Sequence, residues 1–240
     1  MANYPQRMFD AVADLQTLTS VEGVTNKLGH VLSSFGYNAF LVTSVPEPPL
    51  RLEPYILLNG WPKGWTEHYG KYDYYAHDPV AAWCRKAINP FEWREAPYDE
   101  ETDPKAAEVM DVARDFGMNE GYLVPIVRST GFQACVTMAG SQPDLDPMAK
   151  RVIHVVSIMA HGRISALKGE SINQKQILTA REREVLHWVS VGKTSWEIST
   201  ILHLSKSTID IMVNRAQQKL NAVTRTQAVV NALRAGEINF

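Results

Sequence analysis

The chain has 240 residues, of which 45% are hydrophobic, and its formal net charge is −2. At about 100–200 residues per domain, this length allows two domains and a sizeable core. No apolar run approaches the ~18 residues of a membrane span, and the first ten residues lack a signal-peptide pattern. We therefore expect a cytoplasmic protein with no membrane partner.

The cysteine and histidine spacings do not indicate a metal site or a cofactor. Cys84 and Cys135 stand far apart, in apolar or mixed sequence and without a CxxC spacing, which is typical of reduced core thiols. None of the seven histidines has a neighbour at a metal-ligand spacing. We expect neither a disulfide, nor a metal, nor a cofactor.

The first 167 residues show helix and strand signals in the order helices, strands, helices, strands, helix. Helical periodicity with capping residues and Gly or Pro boundaries predicts helices at 5–18, 20–36, 62–74, 78–87, 103–117 and 146–167. Apolar runs bounded by turn residues predict strands at 37–45, 52–58, 90–93, 121–128 and 132–139, with a hairpin turn at 129–131. This order predicts an α+β domain over 1–167, in which helices cover both faces of an antiparallel sheet.

The polar stretch 168–176 has no hydrophobic period and is predicted to link this domain to a second one at 177–240. There a threonine precedes a Glu or Gln by three positions at Thr179, Thr194 and Thr224, and each pair predicts a capping box and a helix start. A further helical period follows Ser205. The second domain is therefore expected to be all-α, with four helices.

Two of these helices, at 195–202 and 206–220, are separated by only three residues, which is the connection of a helix-turn-helix. The second helix of such a pair enters a major groove of DNA. The segment 175–236 carries nine Lys and Arg against four Asp and Glu, whereas 1–173 carries fifteen against twenty-one. A basic module of this kind is suited to the phosphates of double-stranded DNA.

Aromatic residues concentrate between 61 and 93, around one carboxylate. Trp65 and Tyr69 are four residues apart and share a helical face, and with Trp93 they could be ordinary core aromatics. Asp78 is harder to place in a core. Its carboxylate must face solvent, cap the helix that opens at Pro79, or accept hydrogen bonds inside a partly dry cavity.

The second domain carries the pattern LTxREREVLxW…GKTxxEIxxxLxLSxxTI…KL…RTQAV, which runs from Leu178 to Val229. In this pattern it resembles the DNA-binding domain of LuxR-type transcriptional regulators. Within it, Glu182, Leu186 and Gly192 have the structural interpretation of cap, core contact and helix end. We predict as DNA contacts Thr194, Lys206, Ser207, Thr208, Asp210, Ile211, Asn214, Arg215, Lys219 and Arg225.

The first domain resembles the autoinducer-binding domain of quorum-sensing LuxR-type receptors. The pattern WxxxY…DP…W…G is carried by Trp65, Tyr69, Asp78, Pro79, Trp93 and Gly121. The resemblance implies an α/β/α sandwich that encloses an N-acyl-homoserine lactone.

In that family's arrangement, the Trp65 indole donates to the lactone carbonyl and the Asp78 carboxylate accepts from the ligand amide. Tyr69 and Trp93 wall the pocket, and Thr137 offers a hydroxyl near the amide. Trp61, Leu123 and Cys135 complete the predicted ligand contacts.

The sequence departs from the family at two places. Trp61 replaces a tyrosine whose hydroxyl reaches the acyl carbonyl in relatives, and its larger ring predicts a compact acyl group, branched or aryl. Asp210 and Asn214 stand where some relatives carry arginine, so a different base preference is expected.

Three other interpretations are open at this stage. A phosphorylation-driven response regulator would share the second domain but needs a parallel βα sheet before it. An enzyme could use His77, Cys84 and Asp78, although only their proximity in the sequence suggests it. A regulator of the same family could also work without a lactone or sense another small molecule.

The resemblance favours a ligand-responsive transcriptional regulator that is not an enzyme. Helix-turn-helix proteins usually bind pseudo-palindromic sites as dimers, so we expect a homodimer. RNA polymerase is a further candidate partner. The acyl group, the target promoters and the direction of the ligand's effect are left open by the sequence.

Overall fold

The structure is a computed structural model that describes residues 3–127, 133–168 and 178–238. These residues divide into two compact units, one formed by 3–127 with 133–168 and the other by 178–238. The predicted hairpin turn at 129–131 and nearly all of the predicted linker, 169–176, lie outside the described residues. The proposed domain boundaries therefore stay predictions.

The first unit contains six α-helices and five strands among its described residues. The helices are α1 Tyr4–Thr17, α2 Val21–Ser33, α3 Trp65–Lys71, α4 Pro79–Cys84, α5 Pro104–Asp115 and α6 Pro147–Leu167. The strands are β1 Ala39–Ser44, β2 Ile56–Gly60, β3 Phe91–Glu92, β4 Glu120–Ile126 and β5 Ala134–Gly140. Three short 3-10 turns lie at Glu53–Tyr55, Tyr74–Ala76 and Trp93–Glu95.

Side chains at the helix starts explain where these helices begin. Ser20 accepts a hydrogen bond from the Gly23 N–H at 3.1 Å, and Asp103 accepts one from the Ala106 N–H at 3.3 Å. Asp146 caps α6 in the same way. Each side chain satisfies an N–H group that the first helical turn leaves unpaired, which is why the capping signals in the sequence located these starts well.

Two predicted elements differ most from the structure, while the helix predicted at 78–87 ends at Cys84 and the strand predicted at 90–93 ends at Glu92. The strand predicted at 52–58 begins only at Ile56, because the residues before it, including Pro54, form a 3-10 turn. The helix predicted at 62–74 is confined to α3, because Gly64 at its start and Asp73 after its end have φ angles of 86° and 54°. Both angles are left-handed and cannot continue a right-handed helix.

The five strands form one antiparallel sheet in the order β2-β1-β5-β4-β3. Successive side chains of a strand point to opposite faces, so Phe40 and Val42 pack with α1, α2 and α6 on one side. Ala39 and Leu41 pack on the other side with α3, α4 and α5. The expected α+β sandwich is confirmed, and its antiparallel order differs from the parallel sheet of a phosphorylation-driven receiver domain.

The second unit consists of helices among its described residues. They are α7 Ala180–Ser190, α8 Ser195–Leu202, α9 Lys206–Lys219 and α10 Arg225–Arg234. Complete capping boxes start α7 and α8. The third predicted box is incomplete, because the Gln227 side chain accepts from the Val223 N–H and not from that of Thr224.

A left-handed residue and a helix cap form the turn between α8 and α9. His203 has a φ of 53°, which ends α8, and Ser205 then accepts a hydrogen bond from the Thr208 N–H to start α9. Ile198 of α8 and Ile209 of α9 are fully buried in the same hydrophobic cluster. This arrangement is a helix-turn-helix, as the short connection predicts. Within 3–127, 133–168 and 178–238, no helix is both long and apolar enough to cross a membrane.

Candidate functional site

The first unit contains a cavity between the sheet and the layer of α3, α4 and α5. The space between protein atoms there is about 550 Å³ when the open solvent at its mouth is counted, and the enclosed part is about 50 Å³. Its walls are mainly apolar and aromatic, with a few polar groups, as is usual for small-molecule sites. The lining residues are Leu41, Thr43, Val45, Leu52, Trp61, Trp65, Tyr69, Tyr75, Asp78, Val80, Ala81, Cys84, Trp93, Val109, Met110, Ala113, Leu123, Cys135 and Thr137.

Asp78 is the carboxylate that lines this cavity. It has two of the roles considered from the sequence, because it caps a helix and also accepts a hydrogen bond inside the cavity. Its Oδ1 accepts from the N–H groups of Val80 and Ala81, at 2.8 and 3.1 Å, and so caps α4. Its Oδ2 accepts from the Tyr69 hydroxyl at 2.7 Å. Burial raises the pKa of the Asp78 carboxyl, and the bonds from Tyr69, Ala81 and Val80 offset part of that rise.

A second polar pair lies on the sheet side of the cavity. The Trp93 indole N–H donates to the Thr137 hydroxyl at 2.9 Å, across 44 residues of sequence. The Trp93 ring lies directly on Gly121, where an added Cβ would overlap the ring atoms Cγ, Cδ2 and Cε2. Gly121 is therefore required at this place in β4 so that the indole can lie flat on the strand.

Aromatic rings form one wall of the cavity. The rings of Trp61 and Tyr69 are 5.1 Å apart between centroids, and those of Trp65 and Tyr69 are 5.6 Å apart. Trp61 also meets Trp65 edge to face at 6.2 Å. Such tilted and edge-to-face pairs are favourable arrangements, so Trp61 belongs to a packed aromatic wall.

The structure brings all eight predicted ligand contacts to this one cavity. They are Trp61, Trp65, Tyr69, Asp78, Trp93, Leu123, Cys135 and Thr137. Sequence reasoning missed Leu41, Thr43 and Val45, which line the cavity from β1 and just beyond it. Their period-two spacing could have placed them on one face of the strand. It also missed Tyr75, which is buried like its chain neighbour Tyr74 but lines the cavity.

The residues considered for a catalytic role, His77, Asp78 and Cys84, contact different partners. His77 Nδ1 lies 3.0 Å from Asp103 Oδ1, whereas Asp78 is bonded by Tyr69. Cys84 and Cys135 are both buried and free. A hydrogen bond between the two thiols, together with burial, raises the pKa of the Cys135 thiol, which keeps it protonated and a poor nucleophile.

The second unit exposes one face of α9. Lys206, Ser207, Ile211, Asn214 and Arg215 are exposed there. Thr208 is partly buried and contacts the Ser205 hydroxyl at 2.7 Å. Thr194, also predicted to contact DNA, is exposed at the start of α8, where its hydroxyl accepts from the Glu197 N–H.

Three other predicted DNA contacts have partners within the protein. The Arg225 guanidinium donates to the Lys193 carbonyl at 2.7 Å and to the Ser195 hydroxyl at 3.2 Å. A hydrogen bond from Ser195 lowers the pKa of Asp210, which also lies 3.6 Å from the Lys206 ammonium. These bonds hold the starts of α8, α9 and α10 together.

Lys219 is the third of these residues. Its ammonium donates to the carboxylate of buried Glu182 at 2.7 Å. Burial opposes the charge of Glu182, but the bonds from Lys219 and Thr179 outweigh it and lower the pKa of this carboxyl. Glu182 is thus both the capping residue of α7 and the partner of α9, which agrees with its structural interpretation.

Two family patterns match the chain. The autoinducer-binding domain matches residues 20–164, and the luxR family of bacterial regulatory proteins matches residues 176–232. The first match covers the unit with the cavity, and the second covers the helix-turn-helix.

Individual proteins match over nearly the whole length. The transcriptional activator protein BjaR1 of Bradyrhizobium diazoefficiens is 39% identical over 99% of this chain and 98% of its own. The quorum sensing-dependent transcriptional regulator RpaR of Rhodopseudomonas palustris is 38% identical over 94% of this chain and 95% of its own. The crystal structure of Escherichia coli SdiA has a TM-score of 0.77 at 20% identity, covering 98% of each chain, and so shares the fold.

Proposed function

The chain belongs to the LuxR family of autoinducer-binding transcriptional regulators, and from this membership we propose that it binds an N-acyl-homoserine lactone and controls promoters as a DNA-binding homodimer. Members of this family regulate transcription and are not enzymes. We propose 1–167 as the lactone-binding domain, 168–176 as the linker and 177–240 as the DNA-binding domain.

The observation that carries the lactone proposal is the Asp78 carboxylate in a cavity with mainly apolar walls. A lactone with an acylated amine offers one amide N–H, and a carboxylate accepts such a bond strongly. Tyr69 already donates to Oδ2, and an ionised oxygen has a second lone pair for the ligand. The Trp65 indole, which lines the same cavity, is the donor that we propose for the lactone carbonyl.

The acyl end of the ligand is proposed to be compact. Trp61 lines the cavity and packs against Trp65 and Tyr69, so its ring occupies space that a phenol would leave open. A long straight chain beside this ring would strain the packing by about 1–3 kcal/mol. A branched or aryl group could instead lie against the indole with favourable dispersion.

We predict that compact lactones stabilise the protein more than long straight-chain ones. The experiment is a thermal-shift panel of lactones with branched, aryl and straight acyl groups, run on the protein and on Trp61→Tyr. Saturation 100-fold above the dissociation constant stabilises a folded protein by about 2.7 kcal/mol. The Trp61→Tyr variant should respond better to straight chains than the native protein does.

Native mass spectrometry of protein expressed with each lactone provides the control, because a retained ligand adds a defined mass. Larger stabilisation by a twelve-carbon straight chain than by every compact ligand would contradict the compact acyl group. If no lactone were retained or stabilising, the protein would be a regulator that senses another small molecule or none.

The DNA interface is proposed on the exposed face of α9. Ser207, Ile211 and Asn214 lie on that face, and an asparagine amide can bond adenine at two positions in the major groove. Lys206, also exposed, is the residue we propose for phosphate contact. Thr194, Thr208, Asp210, Arg215, Lys219 and Arg225 are proposed to support or extend this interface.

We predict that Asn214→Ala and Lys206→Met weaken DNA binding in different ways. Asn214→Ala should relax the preference at particular base pairs, by about 1–3 kcal/mol each. Lys206→Met should weaken all sequences alike and reduce the salt slope by about one unit. Binding to a randomised site library at several salt concentrations separates the two effects. The same loss of sequence preference in both variants would disprove this division.

A homodimer is proposed because one helix-turn-helix reads only a half-site of a pseudo-palindromic sequence. RNA polymerase is proposed as the partner through which a DNA-bound dimer would act. Sedimentation of the protein with and without a retained lactone measures the oligomeric state directly.

A further inference from the structure

The pairing of β1 with β5 gives the distance between residues along the cavity. Thr137, whose hydroxyl binds Trp93, is paired with Leu41, and Cys135 is paired with Thr43. Val45 lies one residue beyond the end of β1, and its N–H donates to the Gln133 carbonyl. At about 3.3 Å per residue, Val45 lies about 13 Å along the strand from the level of Thr137.

The Trp93–Thr137 pair lies at the Leu41 level, four residues before Val45 along the chain. Tyr75, which lines the cavity, is bound to the Pro46 carbonyl directly after Val45, and Cys135, paired with Thr43, lies midway between the two levels. The Cys84 and Cys135 thiols share a hydrogen bond, and the Thr43 hydroxyl donates to the carbonyls of Ser44 and Tyr55. Thr43 and the two thiols are thus bonded within the protein, and they leave an acyl tail mainly apolar surface to contact.

Tyr75 is the largest side chain at this end, and it is held firmly. The ring is almost fully buried, at 6% exposure, and its hydroxyl donates to the Pro46 carbonyl just after β1. The guanidinium carbon of Arg85 lies 5.9 Å from the centre of the ring, on a residue that directly follows α4. Tyr75 is thus fixed to the connection after β1 and lies beside the residue that ends α4.

We propose that Tyr75 determines ligand specificity by closing the tail end of the cavity and limiting the length of the acyl group. This inference rests on the proposed lactone function and adds a determinant separate from Trp61, which lies in the aromatic wall. A side chain held at its tip by a hydrogen bond cannot swing aside without breaking that bond, so it acts as a fixed stop. A tail that reached it would have to displace a buried ring from a packed interior.

The test compares the dissociation constants of butanoyl- and dodecanoyl-homoserine lactone, measured by calorimetry on the native protein and on Tyr75→Ala. We expect the preference for the short ligand to fall at least tenfold in the variant, because the vacated ring volume admits the longer tail. If Tyr75→Ala does not fold, Tyr75→Leu opens the same end with a smaller loss of buried surface.

The matched control is Tyr74→Leu. Tyr74 is the neighbouring buried tyrosine, its hydroxyl donates to Glu108 at 2.7 Å, and it is not among the residues that line the cavity. Its ligand preference should stay within twofold of the native value, although its stability falls. A preference within twofold of native in folded Tyr75→Ala or Tyr75→Leu would overturn the assignment of Tyr75. If the native protein bound no lactone of the branched, aryl and straight-chain panel, the proposed function itself would fail, which is a separate result.

Discussion

Replacing Asp78 with asparagine is expected to remove most of the stabilisation that a lactone provides, while the unliganded protein stays folded. Asparagine keeps an oxygen that can accept from Val80 and Ala81, and it is as good an N-cap as aspartate. It loses the charged acceptor for the ligand amide, and a bond to a charged group contributes about 1.5–3 kcal/mol. The gain of about 2.7 kcal/mol at 100-fold saturation should therefore fall to about 0.3–1.3 kcal/mol at the same ligand concentration.

The measurement is the rise in melting temperature with ligand for the native protein, Asp78→Asn and Asp78→Ala. Asp78→Ala should lose the same response and in addition about 0.5–2 kcal/mol of unliganded stability, because the cap of α4 is gone. Asp111→Asn is the matched control, since this exposed carboxylate bonds only Arg114 among its recorded partners in the described residues. A full ligand response in Asp78→Asn would show that the carboxylate does not hold the ligand.

Gly121→Ala is expected to damage both the fold of the first unit and its cavity. The new methyl group would overlap the ring of Trp93, so the indole must leave the strand and lose its bond to Thr137. Overpacking of this kind costs about 1–3 kcal/mol, which corresponds to a fall in melting temperature of roughly 2–12 °C for a unit of this size. Ligand stabilisation should fall as well, because Trp93 and Thr137 line the cavity.

Two variants check that the effect comes from this contact. Gly162→Ala adds the same methyl group on α6, where it meets no described atom within 4 Å, and it should stabilise the helix by up to about 1 kcal/mol. The double variant Gly121→Ala with Trp93→Leu should recover part of the stability, because the smaller side chain leaves room. Equal melting temperatures of Gly121→Ala and the native protein would contradict the flat stacking of Trp93 on β4.

The helices of both units were largely predictable because their start signals are local. Thr179 and Thr194 form complete capping boxes, as their spacing to Glu182 and Glu197 predicts. A capping box joins residues three positions apart, so it depends little on the rest of the fold. Thr224 differs because Gln227 could also reach the preceding N–H of Val223, and its spacing alone does not choose between these two partners.

The sequence by itself determined the helix-turn-helix and the covering of both faces of the sheet, because these follow from periodicity and caps. The eight candidate contacts of the cavity came from the chain's resemblance to the autoinducer-binding family. Only the tertiary structure decided which distant residues contact these side chains. It brought Tyr75 to Pro46 and laid Trp93 on Gly121, and it engaged Arg225 with Ser195. These contacts join residues 28 to 30 positions apart, and neither propensity nor spacing encodes a distance that arises only when strands and helices pack.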